Sequence, residues 1–105
     1  MAIELNIRTS KTVSDIISIF KNFDTISILG EFDSLNYGDG YDLVVRNVSC
    51  RLYDDSKTFG LKTSDSKNKG LIIEIDRHDK HDKADQQIVS RILKQVVENA
   101  GYMVF

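Results

Sequence analysis

The sequence predicts an α+β domain: a mainly antiparallel sheet with two helices on one face, in the order β-α-β-β-β-β-α-(β). Three observations predict it. Ile3, Leu5 and Ile7 alternate with Glu4, Asn6 and Arg8, the two-residue period of a strand with one buried face. Two later stretches, Val13–Phe23 and Ile88–Ala100, carry apolar residues at helical spacing instead. Between them lies a run of short strand-like segments separated by polar and glycine-containing turns, and strands joined so closely pair antiparallel.

Taken in order, the first strand is followed by Thr12-x-x-Asp15, a capping box that satisfies the free amides at a helix start. Val13, Ile16, Ile17, Phe20 and Phe23 form the apolar stripe of that helix, which should end near Asn22. Ile26, Ile28, Gly30 and Phe32 share one parity of the second strand, leaving Ser27, Glu31 and Asp33 as an acidic outer face. Asn36-Tyr37-Gly38-Asp39-Gly40 has the composition of a hairpin connection. The third strand is read from Tyr41 to about Asp54, with Val44, Val48, Cys50 and Leu52 on one parity and Arg46 interrupting. Leu43 and Val45 would then be apolar on the other face. Asp54-Asp55-Ser56 reads as a turn, Thr58 to Thr63 as a fourth strand and the lysine-rich Ser64 to Gly70 as a loop.

The stretch from Leu71 to Gly101 is the densest in structural signal. Leu71, Ile73 and Ile75 begin a strand, and Ile88, Ile92, Val96 and Ala100 give a helical stripe with Val89, Leu93 and Val97 beside it. Asp82 or Asp79 is expected to cap that helix, and Gly101 stands where a helix stop is expected. Tyr102-Met103-Val104-Phe105 is apolar enough for a short last strand or a packed end. The resulting two-layer sandwich is similar in element order to one half of a TATA-binding protein and, more loosely, to helix-grip folds. That likeness rests on element order, with no sequence motif behind it, and fold-level likeness does not transfer function.

At 105 residues, with 41% hydrophobic and 29% charged side chains, the chain is read as one globular domain, 1–105, able to bury a core without disulfide or metal. No apolar run reaches the length of a membrane span, and the start lacks the pattern of a signal peptide, so a cytoplasmic location is expected. The single Cys50 excludes an internal disulfide. A net charge of −2 selects no partner, but its distribution is uneven. Between Lys21 and Arg46 there is no basic residue, whereas Asp24, Glu31, Asp33, Asp39 and Asp42 all fall there. From Lys57 to Gly70 the balance reverses.

Four places offer chemistry. His78 and His81, with Asp82 close by, could supply imidazole and carboxylate to a metal, which would support a small metal-dependent enzyme. Arg77, Lys80 and Lys83 interleave with them and oppose a cation, so a solvated loop and helix cap is the simpler use. Cys50 shares parity with Val48 and Leu52 and reads as a small buried hydrophobe rather than a nucleophile. No catalytic residue and no cofactor is assigned. Arg46, Arg51, Lys57, Lys62, Lys67 and Lys69 form a basic set that would serve phosphate contacts if the chain bound nucleic acid. Glu31, Asp33, Tyr37, Asp39, Tyr41 and Asp42 combine carboxylates with aromatic anchors, a mixture suited to docking on a basic protein. The expectation is therefore a non-enzymatic protein-binding function. In general character it matches small acidic inhibitors or immunity-type proteins of basic nucleases or defence complexes. A homodimer through the short last strand or an uncovered sheet face is also compatible.

Overall fold

The computed structural model describes residues 3–34, 38–54 and 70–105; of residues 32–34, 38 and 39 it describes the backbone alone. The elements are β1 (Ile3–Arg8), α1 (Val13–Phe20), β2 (Ile26–Ser34), β3 (Gly38–Val45), β4 (Val48–Asp54), β5 (Gly70–Ile75), α2 (Lys83–Asn99) and β6 (Met103–Val104). All six strands form one sheet in the order β2-β3-β4-β5-β1-β6, and every neighbouring pair is antiparallel. The chain is an α+β fold. After β1 it crosses over the sheet through α1 to the far edge, then returns strand by strand through β2, β3, β4 and β5. A second crossover through α2 places β6 on the free side of β1.

Register defines the two faces. Leu5 pairs with Ile73, Ile73 with Leu52, and Leu52 with Tyr41; Ile75 pairs with Cys50, and Cys50 with Leu43. These residues lie on one face and share a core with Ile16, Ile17 and Phe20 of α1 and Val89, Leu93 and Val97 of α2. Both helices thus cover the same face, in two layers. The opposite face carries Glu4, Glu74, Arg51 and Asp42 as one cross-strand row. The next row holds Asn6, Ile72 and Tyr53. Ile72 and Tyr53 are themselves buried, yet lie outside the core under the helices.

Local signals set the helix limits. Asp15 N–H donates to the Thr12 hydroxyl, and the Asp15 carboxylate accepts from the Thr12 amide at 3.0 Å, closing the capping box. The Thr12 amide and the Thr12 hydroxyl, both donating to that carboxylate, hold the Asp15 carboxyl below its ordinary pKa. Asp82 caps α2 by accepting from Asp85 N–H at 2.9 Å. At the other end the Tyr102 amide donates to Val97 O and the Gly101 amide to Glu98 O, with Gly101 at φ +97°. This is a Schellman stop, and its left-handed residue favours glycine.

Three expectations are corrected. The segment from Tyr41 to Asp54 is two strands, because Arg46 (φ 51°) and Asn47 (φ 67°) form a two-residue turn that pairs Val45 with Val48. Two consecutive positive φ angles suit a primed turn, whose twist matches that of the strands it joins. The turn puts Leu43 and Val45 on the face of Val48, Cys50 and Leu52, and moves Val44 to the other. The expected strand from Thr58 to Thr63 lies outside the described residues; the order of elements holds because the third strand divides.

In β2 the register slips between Ile28, which pairs with Leu43, and Gly30, which pairs with Asp42. The intervening Leu29 is a bulge residue, so Glu31 falls on the same face as Ile28 and Tyr41 instead of the opposite one. In α2 the core stripe is Gln86, Val89, Leu93, Val96 and Val97. Ile88 and Ala100 are exposed, and Ile92 is only half-buried.

The turn yields a direct prediction. A non-glycine residue in the left-handed region carries a penalty of about 1 kcal/mol or more, and Arg46 has no short polar side chain to relieve it. The double substitution Arg46→Asn with Asn47→Gly, the preferred pair for such a turn, is expected to raise stability by about 1 kcal/mol in urea denaturation. No gain would mean that the turn is held by contacts other than its own backbone preference.

Candidate functional site

Among the described residues β2 forms one edge of the sheet, and the bulge changes what that edge presents. Leu29 is 65% exposed, and Glu31, two residues further on, is also exposed. Glu31 pairs in register with Tyr41, which is half-buried against the core and so offers only part of its ring. Beyond them Asp33 is the register partner of Asp39. Tyr37 lies outside the described residues.

Asp42 belongs elsewhere. It stands on the opposite face, where Arg51 Nε donates to Oδ1 at 2.7 Å and Nη2 to Oδ2 at 3.4 Å. Arg77 Nη1 reaches the same Oδ1 at 3.0 Å. Two guanidinium groups on one half-buried carboxylate leave that patch with no acidic surplus. Of the basic set, Arg51 is thereby engaged by Asp42. Arg46 sits at the β3–β4 turn, three register pairs away, and the two do not come together. Lys57, Lys62, Lys67 and Lys69 lie outside the described residues.

The connector from β5 to α2 is built around Asp76, which the sequence offers only as a further possible metal ligand beside His78 and His81. Asp76 adopts φ 58° and is 1% exposed. Its carboxylate accepts from the Lys80 amide (3.1 Å), the His81 amide (2.8 Å) and Gln86 Nε2 (2.7 Å). Gln86, itself buried, also donates to Asp79 Oδ1 at 3.1 Å. Burial pushes the Asp76 carboxyl up, but Gln86, the two amides and the neighbouring His81 outweigh it and hold the pKa below the ordinary range. Arg77 N–H bonds to Ser49 O, which ties the connector to β4.

This segment was expected to be a solvated loop with a cap. Only part of it is: His78 is exposed, Asp82 is occupied as the cap, and Asp76 is a buried polar centre. Among the described residues no cluster of three His, Cys, Asp or Glu is placed to hold a metal. Gln86 was the available signal, since it falls on the core stripe of α2 with Val89 and Leu93 and a buried amide needs a partner.

Cys50 is buried, and burial drives its thiol up to about 11, with a smaller lowering effect from the Asp76 backbone N–H. A thiol so far from ionisation is a poor nucleophile. Its Sγ lies 3.5 Å from Val48 O.

Among the described residues an open depression lies on the helical side. A trough of about 460 Å³ runs between the turn after α1, at Phe23 and Thr25, and the outer flank of α2 from Ile88 to Asn99.

No protein-family model, curated protein or solved structure matches the chain. The similarity to half a TATA-binding protein therefore stays one of element order, and function has to be read from the surfaces themselves. No helix among the described residues is long and apolar enough to cross a membrane.

Proposed function

We propose that the chain is a non-enzymatic, cytoplasmic protein that works by binding a basic protein through the β2–β3 hairpin, in the manner of a small acidic inhibitor or immunity-type protein. The observation that carries this reading is the bulge in β2, which leaves Leu29 65% exposed two residues before exposed Glu31. An exposed apolar residue in an acidic stretch combines burial energy with charge that speeds encounter. Among the described residues β2 is a sheet edge, to which a partner strand can bond. Glu31, with Asp33 and Asp39 of the same hairpin strands, is proposed to supply the charge and Tyr41 an aromatic contact, together with Tyr37, which lies outside the described residues; Asp42 is set aside because Arg51 and Arg77 already hold it.

The test is affinity capture from the native host with the wild-type chain and a Glu31→Lys, Asp33→Lys, Asp39→Lys variant as parallel baits. The expected result is a basic protein retained by the wild type at low salt, released by added salt, and lost by the variant by tenfold or more. Equal retention by both baits would remove the hairpin from the interface. Retention on heparin or a nonspecific oligonucleotide at low salt, abolished by Arg51→Glu, would replace this reading with nucleic-acid binding.

A further inference from the structure

The apolar flank of α2 is wider than the core uses. Val89, Leu93 and Val97 fill the space under the sheet, yet Ile88 and Ile92 continue the apolar surface outward, and Ile88 is 37% exposed. Together with Val96 they make a straight row at four-residue spacing along one wall of the trough, and Phe23, 39% exposed, faces them from the turn after α1. A second row, Arg91, Gln95 and Asn99, runs parallel to it along the rim. Gln95 donates to Asn99 at 2.9 Å, so the rim holds its shape without drawing on Arg91. Among the described residues Arg91 is the one charged side chain lining the trough, and it makes no ion pair there.

We propose that this trough binds a straight-chain amphiphile with an anionic head, the head on Arg91 and the hydrocarbon chain along Ile88, Ile92 and Val96 beneath Phe23. Charge complementarity selects the head, because a planar guanidinium forks onto a carboxylate with two parallel hydrogen bonds. Shape selects the chain. From Ile88 to Asn99 the wall is about 16 Å long at 1.5 Å per residue, and an extended alkyl chain lies along its apolar row of Ile88, Ile92 and Val96. The volume is also in the range of small-molecule sites, which join an apolar lining to a few polar groups. This site is separate from the β2–β3 hairpin and stands or falls independently of it.

The test titrates the full chain with decanoate and with decanol, each below the concentration at which it self-associates, while the methyl resonances of Ile88, Ile92 and Val96 are followed. Saturable shifts of those methyls are expected, with decanoate binding at least tenfold more tightly than decanol. Arg91→Gln, an exposed position whose replacement should leave the thermal midpoint unchanged, is expected to abolish that preference while decanol binds as before. Ile88→Gln is expected to weaken both ligands. Equal affinity for the two ligands, an unaltered preference in Arg91→Gln, or shifts confined to other methyls would overturn the proposal. So would shifts of the same methyls on raising the protein concentration without ligand, with a doubling of mass in sedimentation, since a second copy would then occupy the trough.

Discussion

Leu93→Ala is expected to destabilise the fold by about 3 kcal/mol, within the 2–5 kcal/mol span of buried leucine truncations. Leu93 is fully buried and sits where α2 meets the sheet. Truncation removes its transfer energy and leaves a cavity that a helix packed on six strands closes only in part. For a domain of this size the thermal midpoint should fall by roughly 10–20 °C. Ile88→Ala is the matched control. Its side chain is as large but lies on the trough, so its cost should stay under about 1 kcal/mol. Similar losses at the two positions, measured by urea unfolding, would place the core of α2 on the wrong stripe.

The second large effect is expected at Asp76. Asp76→Asn keeps the volume and tolerates the positive φ, but turns one acceptor oxygen into a donor facing donors. The oxygen that remains can serve either the Lys80 amide or the His81 amide with Gln86, and the donors on the other side are left facing an NH2 group in a buried place, so the cost at neutral pH should be about 3 kcal/mol. The pH dependence has a definite sign. The folded-state pKa lies below the ordinary carboxyl value, so the unfolded chain takes up the proton first. The stabilisation is fully present above that unfolded value and fades as pH falls through the folded one. The gap between wild type and Asp76→Asn should therefore be wide at pH 7 and narrow steadily in strong acid. A gap that does not change with pH would mean that the carboxyl has the same pKa folded and unfolded, and a gap that widens in acid would mean that it is protonated in the folded state.

How much of this was legible depended on range along the chain. The Thr12–Asp15 box, the Asp82 cap and the Gly101 stop are decided within a few residues, and each stands where its local chemistry placed it. The alternation in β1 was equally plain, since one face is core and the other solvent. The Arg46–Asn47 turn escaped because it lacks glycine, so its dihedrals are imposed by the strands it joins rather than by its own residues. The Leu29 bulge escaped for a related reason: a register slip is a property of two strands, and Ile28 and Glu31 each look regular in isolation. The stripe on α2 was shifted by one row because seven apolar residues cover more of the helix than the sheet can use, and only packing decides which row is left outside. At the candidate site, the acidity of the hairpin was visible, but the claim of Arg77 on Asp42 spans thirty-five residues of sequence and no local pattern signals it.

The place of β1 has a consequence for the order in which the chain acquires structure. The β2–β3 and β3–β4 hairpins close over a few residues and should form early, as local pairings do. β1 is made before any of them, yet both of its partners, β5 and β6, come late: Ile3 waits for Ile75, and Ile7 for Val104. Until those segments leave the ribosome, an alternating strand with two unsatisfied edges stands open, so the interval between the making of β1 and that of β5 is when this fold is most exposed to pairing with the wrong chain.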